Sequence, residues 1–176
     1  MTYLEVVDSA VKIGLGALIG GITSLVVARA QHRRDLEKSK IAREFELLKQ
    51  VAEEVERFTH VALRYWALIT EWGRNELQGT KMRAERQEAL SRSGDELFDA
   101  FKDMTSSESK LLLLGHSESQ GLLRAYGELV TELRRKANRD APPLSDADAS
   151  EWRRRILGAR EQFFLALSAT YRRLGA

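Results

Sequence analysis

The chain has no cysteine, so a disulfide scaffold, a thiolate nucleophile and cysteinyl zinc or iron–sulfur sites are all excluded. It has two prolines in 176 residues, which leaves long stretches free of the residue that breaks helices. It has no surplus of charge of one sign: 28 basic side chains face 26 acidic ones, for a formal net charge of +2. A charged fraction of 31% is too high for a protein of many membrane spans, and a hydrophobic fraction of 43% is too high for a disordered chain. Alternating strand patterns, internal repeats and low-complexity tracts are missing too.

What is present begins at the N-terminus. Ile13 to Ala28 reads IGLGALIGGITSLVVA, sixteen residues without a charge. Counting back to Ser9, through the single base Lys12, gives twenty residues, enough to cross a hydrocarbon core of about 30 Å. A secretory signal peptide should open with a basic segment. Here the first eleven residues hold Glu5 and Asp8 and no base. A buried core helix is the other rival for so short a run. The expectation is a membrane anchor over residues 1–29, followed by a helical bundle over 30–176.

Residues 29–43 carry Arg29, Arg33, Arg34, Lys38, Lys40 and Arg43 against Asp35 and Glu37. The positive-inside rule therefore predicts a single pass with the bundle in the cytoplasm and the N-terminus outside, across a bacterial inner membrane. Arg29, Arg33, Arg34, Lys38 and Lys40 are the candidate contacts with anionic headgroups.

On a helical wheel, Leu15, Leu18, Ile19, Ile22, Leu25 and Val26 take one side of the anchor. Gly14, Ala17, Gly20, Gly21, Ser24 and Ala28 take the other. Gly16, Gly20, Ser24 and Ala28 recur at every fourth position. Small residues at that spacing let helix backbones approach closely. Gly16, Gly20, Gly21, Ser24 and Ala28 are the candidate packing face, and its partner is a second copy or another membrane protein.

After Ala30 the pattern is helical throughout. Ile41, Phe45, Leu48, Ala52, Val55, Ala62, Trp66 and Ile69 form one stripe, flanked by Val51, Phe58, Tyr65 and Trp72. That face is wider than a two-stranded coiled-coil seam. Gln78-Gly79-Thr80 is a turn. A second helix holds Leu90, Leu97, Phe98, Phe101 and Met104, all expected on its core side, with Gly94 a candidate break. Thr105–Glu108 reads as a capping box opening a short helix that stops at Gly115, and Ser117–Gln120 as another opening a longer one. Asn138 to Ser150, with Pro142-Pro143, is the clearest loop, and Ser145 or Asp146 caps the last helix. The fold class expected is all-α: an N-terminal transmembrane helix continuous with a long helix of an antiparallel, roughly four-helix cytoplasmic bundle.

Chemistry is sparse. His32, His60 and His116 are dispersed and match no ligand spacing; Ser117, next to His116, is expected as a cap. Asp95, Asp99 and Asp103 read as a solvated face. Helical-bundle nucleases of bacterial defence carry Arg-x4–6-His; here Arg57 precedes His60 with two residues between, and Lys110 stands six residues before His116. Arg134-Arg135-Lys136 and Arg153-Arg154-Arg155 are expected to be surface charge on helix ends, not a nucleic-acid patch. No cofactor, metal or catalytic residue is expected.

The segments ITSLVVARAQHRRDLEKSK, LLLLGHSESQGLLRAYGELV and REQFFLALSATYRRLGA resemble, in pattern, a widespread and largely uncharacterised group of small bacterial single-pass membrane proteins. In size and order of parts the chain is also similar to the membrane-pore accessory proteins of Cas13 CRISPR systems. That second likeness, of layout, implies an oligomeric pore in antiviral defence. The functional expectation is a non-enzymatic homo-oligomer held through its Gly-rich anchor, touching membrane lipid. The alternatives are a membrane-tethered adaptor for a cytoplasmic protein partner and a degenerate nuclease-like bundle.

Overall fold

Four helices account for the backbone in the computed structural model, which describes residues 3–137 and 142–174, and side chains from residue 31 onward except Arg33. They are α1 (Tyr3–Leu77), α2 (Ala84–Leu113), α3 (Ser117–Lys136) and α4 (Asp146–Leu174). Among the described residues there is no strand. The protein is all-α.

The chain divides into two units between Arg43 and Glu44, although α1 runs through both. In the first, the described side chains from Gln31 to Arg43 are all exposed. The anchor predicted over residues 1–29 lies outside the residues whose side chains are described. Among the described residues no helix is long and apolar enough to cross a membrane.

The second unit is a helical bundle, and its register follows from paired side chains. Between α1 and α2, Glu54 meets Lys110, Arg57 meets Asp103 at 3.0 Å, Arg64 meets Glu96 at 3.0 Å and Glu71 meets Arg86. One number rises as the other falls, so the two helices are antiparallel. Arg160 to Glu56 and Arg74 to Asp146 (2.5 Å) run α4 antiparallel to α1. Glu108 with Gln120 and Arg124, Met104 beside Gly127, and Phe98 beside Arg134 do the same for α2 and α3. The topology is up-down-up-down.

Each turn has a local cause. Gly79 and Gly115 carry φ of +65° and +79°, the left-handed conformation that ends α1 and α2 at no steric cost. Ser145 opens α4: its hydroxyl accepts from the Asp148 amide at 3.1 Å and donates to the Asp148 carboxylate at 2.6 Å. At Gly73, a Cβ would lie 2.8 Å from the Leu144 carbonyl oxygen, so the loop before α4 closes on α1 only because no side chain is there.

The core lies inside this unit. Leu48, Val51, Val55, Phe58 and Ala62 of α1 are fully buried with Leu97 and Leu111, Leu123 and Tyr126, and Ile156 and Phe163. Phe58 meets both Phe101 and Tyr126 edge-on, at centroid separations of 5.1 and 5.4 Å.

Several expectations are corrected. Both stripes of α1 enter the core: Leu48, Val55, Ala62 and Ile69 of the first are buried alongside Val51, Phe58 and Tyr65 of the flanking one, whereas Ala52, Trp66 and Trp72 are half-buried; Ile41 is exposed because the bundle begins after Arg43. Gly94 does not break α2; a Cβ there would only touch Tyr65 at 3.8 Å. Thr105 starts no helix. Its hydroxyl bonds back to the Phe101 carbonyl at 3.0 Å, and Ser107 is buried, donating to Glu54 at 2.5 Å. The residue that precedes α3 is His116, so Ser117 is already helical and caps nothing. Phe98 is 59% exposed, under the Arg134 guanidinium.

Candidate functional site

The predicted packing face, Gly16, Gly20, Gly21, Ser24 and Ala28, lies outside the residues whose side chains are described, as do Arg29 and Arg33. Their backbone is helical, as part of α1. Arg34, Lys38 and Lys40 are exposed.

The bundle carries its own features. Where α1 joins it, Glu44 and the α2–α3 turn meet: His116 Nε2 lies 2.9 Å from Glu44 Oε1. A carboxylate only accepts, so Nε2–H donates. Beside this pair is a cavity of about 350 Å³ lined by Ser117, Ser119, Thr170 and Arg173. His60, exposed on α1, is sixteen residues along the helix from Glu44, about 24 Å away at 1.5 Å per residue. The two histidines share no site. Among the described residues no group of His, Asp and Glu is placed to hold a metal.

The second basic run has structural work. Arg155 lies 4.3 Å from the Trp152 ring centroid and reaches Glu132 at 3.3 Å; Arg154 pairs with Glu151; Arg153 lies over Trp66 at 5.8 Å. Trp66 itself donates its indole N–H to the Ala149 carbonyl at 2.7 Å, fixing the start of α4 against α1. The acidic face is partly consumed too, with Asp103 on Arg57 and Asp99 on Lys102. Polar groups also cross the core. Glu54 binds both Ser107 and Lys110, and the Tyr126 phenol donates to Thr59 at 3.0 Å while Thr59 donates to the Val55 carbonyl. Burial pushes the Tyr126 phenol up to about 12, so it is a fixed donor.

Two grooves went unnoticed in the sequence. One, of about 1050 Å³, runs between α3 and α4 over Ala125, Leu129, Gly158 and Gln162. The other, of about 750 Å³, is walled by α1, α2 and α3, with Tyr65, Ser91, Asp95 and Arg134 on its lining. Arg135 stands on the ridge between them. Ser91 and Asp95, one turn apart on α2, line the second groove, but their spacing alone does not mark one.

No family model matches the chain, and neither a curated protein nor a solved structure matches it.

Proposed function

We propose that the protein is a single-pass protein of a bacterial inner membrane that acts by assembling, not by catalysis. The observation that carries this reading is the uncharged run Ile13–Ala28, with a small residue at every fourth position from Gly16 to Ala28. The six bases of residues 29–43 support a cytoplasmic bundle. Anchor and bundle belong to one chain, so an assembly of anchors gathers the bundles attached to them. The likeness in layout to oligomeric pore accessory proteins supports the bolder form, a hydrophobic lumen that gates by dewetting. It extends the proposal to antiviral defence.

The test is the mass of the full-length protein in detergent, by light scattering, beside residues 44–176. A discrete oligomer that needs the N-terminal segment, and that Gly20→Leu disperses while membrane insertion persists, is the expected result. An oligomer unchanged by Gly20→Leu refutes the small-residue face as its cause.

A second reading is a tethered adaptor. It is favoured by exposed large apolar side chains on the bundle, Leu112 (53%), Leu113 (82%) and Leu165 (63%), which a monomeric fragment would offer to a partner. A monomer in both preparations selects it.

A further inference from the structure

The groove walled by α1, α2 and α3 collects polar groups that the fold does not use. Tyr65 is 93% buried by its exposure of 7%, yet its hydroxyl has no hydrogen-bond partner among the described residues. Among the described residues the sealed, orphaned side-chain atom is Ser93 Oγ and not the Tyr65 oxygen, which therefore opens onto the groove it lines. Ser91 lines the same wall, one turn of α2 from Asp95. Opposite them stand Arg134 and Arg135, neither in an ion pair among the described residues. Arg134 lies 5.6 Å from the exposed Phe98 ring. A guanidinium stacked in this way keeps its N–H edge free for an oxyanion.

The end of α3 explains only part of this charge. A helix C-terminus is worth about half a negative charge, and Lys136 in the same turn offsets it. Arg134 and Arg135 remain as surplus in this groove, where Asp95 is the acid on the lining; Arg135 also borders Glu128 and Glu132 on the α3–α4 side of its ridge. Ile69 and Leu90 supply an apolar floor. The Tyr65 phenol is protonated at neutral pH, as any phenol is, and burial only raises its pKa further.

We propose that this groove binds a small phosphate ester that also carries hydroxyl groups, a sugar phosphate or nucleotide in class. Arg134 and Arg135 take the phosphate through charged, bidentate hydrogen bonds. Tyr65 and Ser91 donate to the remaining oxygens. Asp95 accepts from the ligand hydroxyls and repels a second anion, so an ester with hydroxyls is preferred to bare phosphate.

The test is calorimetric titration of full-length protein in neutral detergent with ribose 5-phosphate, inorganic phosphate and dihexanoyl phosphatidic acid. Ribose 5-phosphate is expected to bind at one site per chain and more tightly than inorganic phosphate. Arg134→Gln with Arg135→Gln should weaken it by about tenfold or more, the size of losing a charged hydrogen bond. Tyr65→Phe should weaken it by about threefold or more. Asp95→Asn should lower the ratio of ribose 5-phosphate to inorganic phosphate affinity. Circular dichroism melts check that each variant is folded. No binding of any probe, or binding unchanged in the double arginine variant, overturns the site. Tighter binding of phosphatidic acid, indifferent to Asp95→Asn, overturns the hydroxyl-bearing ligand and assigns the anion groups to a lipid headgroup.

Discussion

The same substitution should have opposite signs at Gly73 and Gly158, and the structure supplies both magnitudes. Each glycine sits inside a helix, where alanine is favoured by about 1 kcal/mol. At Gly158 an added Cβ meets nothing within 4 Å, so the whole of that gain is realised. At Gly73 the Cβ lies 2.8 Å from the Leu144 carbonyl oxygen and 3.3 Å from its amide nitrogen. These are backbone atoms of the loop that leads to the Ser145 cap, so relief requires moving the loop and not a side-chain tip. Overpacking of this kind costs about 1–3 kcal/mol. Subtracting the propensity gain leaves Gly73→Ala destabilising by about 1 kcal/mol, and separates the two variants by about 2 kcal/mol. At about 2–4 °C per kcal/mol for a chain of this size, their melting temperatures should move apart by several degrees in opposite directions. The assay is chemical and thermal unfolding of residues 44–176 by circular dichroism, with the wild-type fragment alongside. A Gly73→Ala fragment at least as stable as wild type would refute the close approach of the loop to α1.

Three further predictions concern the core. Tyr126 has a folded pKa of about 12 against 10 for the free phenol. The unfolded chain releases that proton first, so stability present below pH 10 is lost as pH rises from 10 towards 12. Tyr126→Phe should flatten that loss in urea titrations and cost about 1 kcal/mol at pH 7, because Thr59 keeps its own bond to Val55. Lys110→Met leaves the Glu54 carboxylate about 80% buried with Ser107 as its remaining partner, and should cost about 1–2 kcal/mol once the pair's partial exposure is discounted. Adding Glu54→Gln should recover part of it, and a double variant no better than the single one would show that the pair is not coupled. Ser93→Ala removes a buried hydroxyl that has no partner, so it should stabilise the bundle by about 1 kcal/mol, read as a rise in urea midpoint.

The helical content and its punctuation were legible because they are local. Gly79 and Gly115 stop helices through their own φ, and Ser145 caps α4 through an amide three residues away. The start misread at Thr105 has a physical cause. A Ser or Thr followed by Glu or Gln three residues on has the form of a capping box, but that form is satisfied equally well inside a helix, where the hydroxyl bonds back to a carbonyl. Thr105 does so, while Ser107 turns to Glu54 across the bundle. Which helix end exists at all depends on what α1 offers opposite.

Faces were harder than elements. Periodicity identified a broad apolar surface on α1, and only packing set its depth, burying Leu48, Val51, Val55 and Phe58 completely while leaving Ala52 half-buried and Ile41 exposed. Phe98 looks like core by hydropathy, yet it is 59% exposed, with the Arg134 guanidinium of α3 lying 5.6 Å from its ring centroid. The candidate groove was invisible for the same reason: Tyr65, Ser91 and Arg134 come from three helices.

The sequence by itself determined the all-α class, the turns and the uncharged N-terminal run, since each depends on residues within about one helical turn or on a simple count. The tertiary structure alone decided the antiparallel register of charges along α1 and α2, the burial of Glu54 with Lys110, the tight seat of Leu144 on Gly73 and the gathering of unused donors around Tyr65. Those depend on distances between residues far apart in the chain, which are set when helices pack and not before.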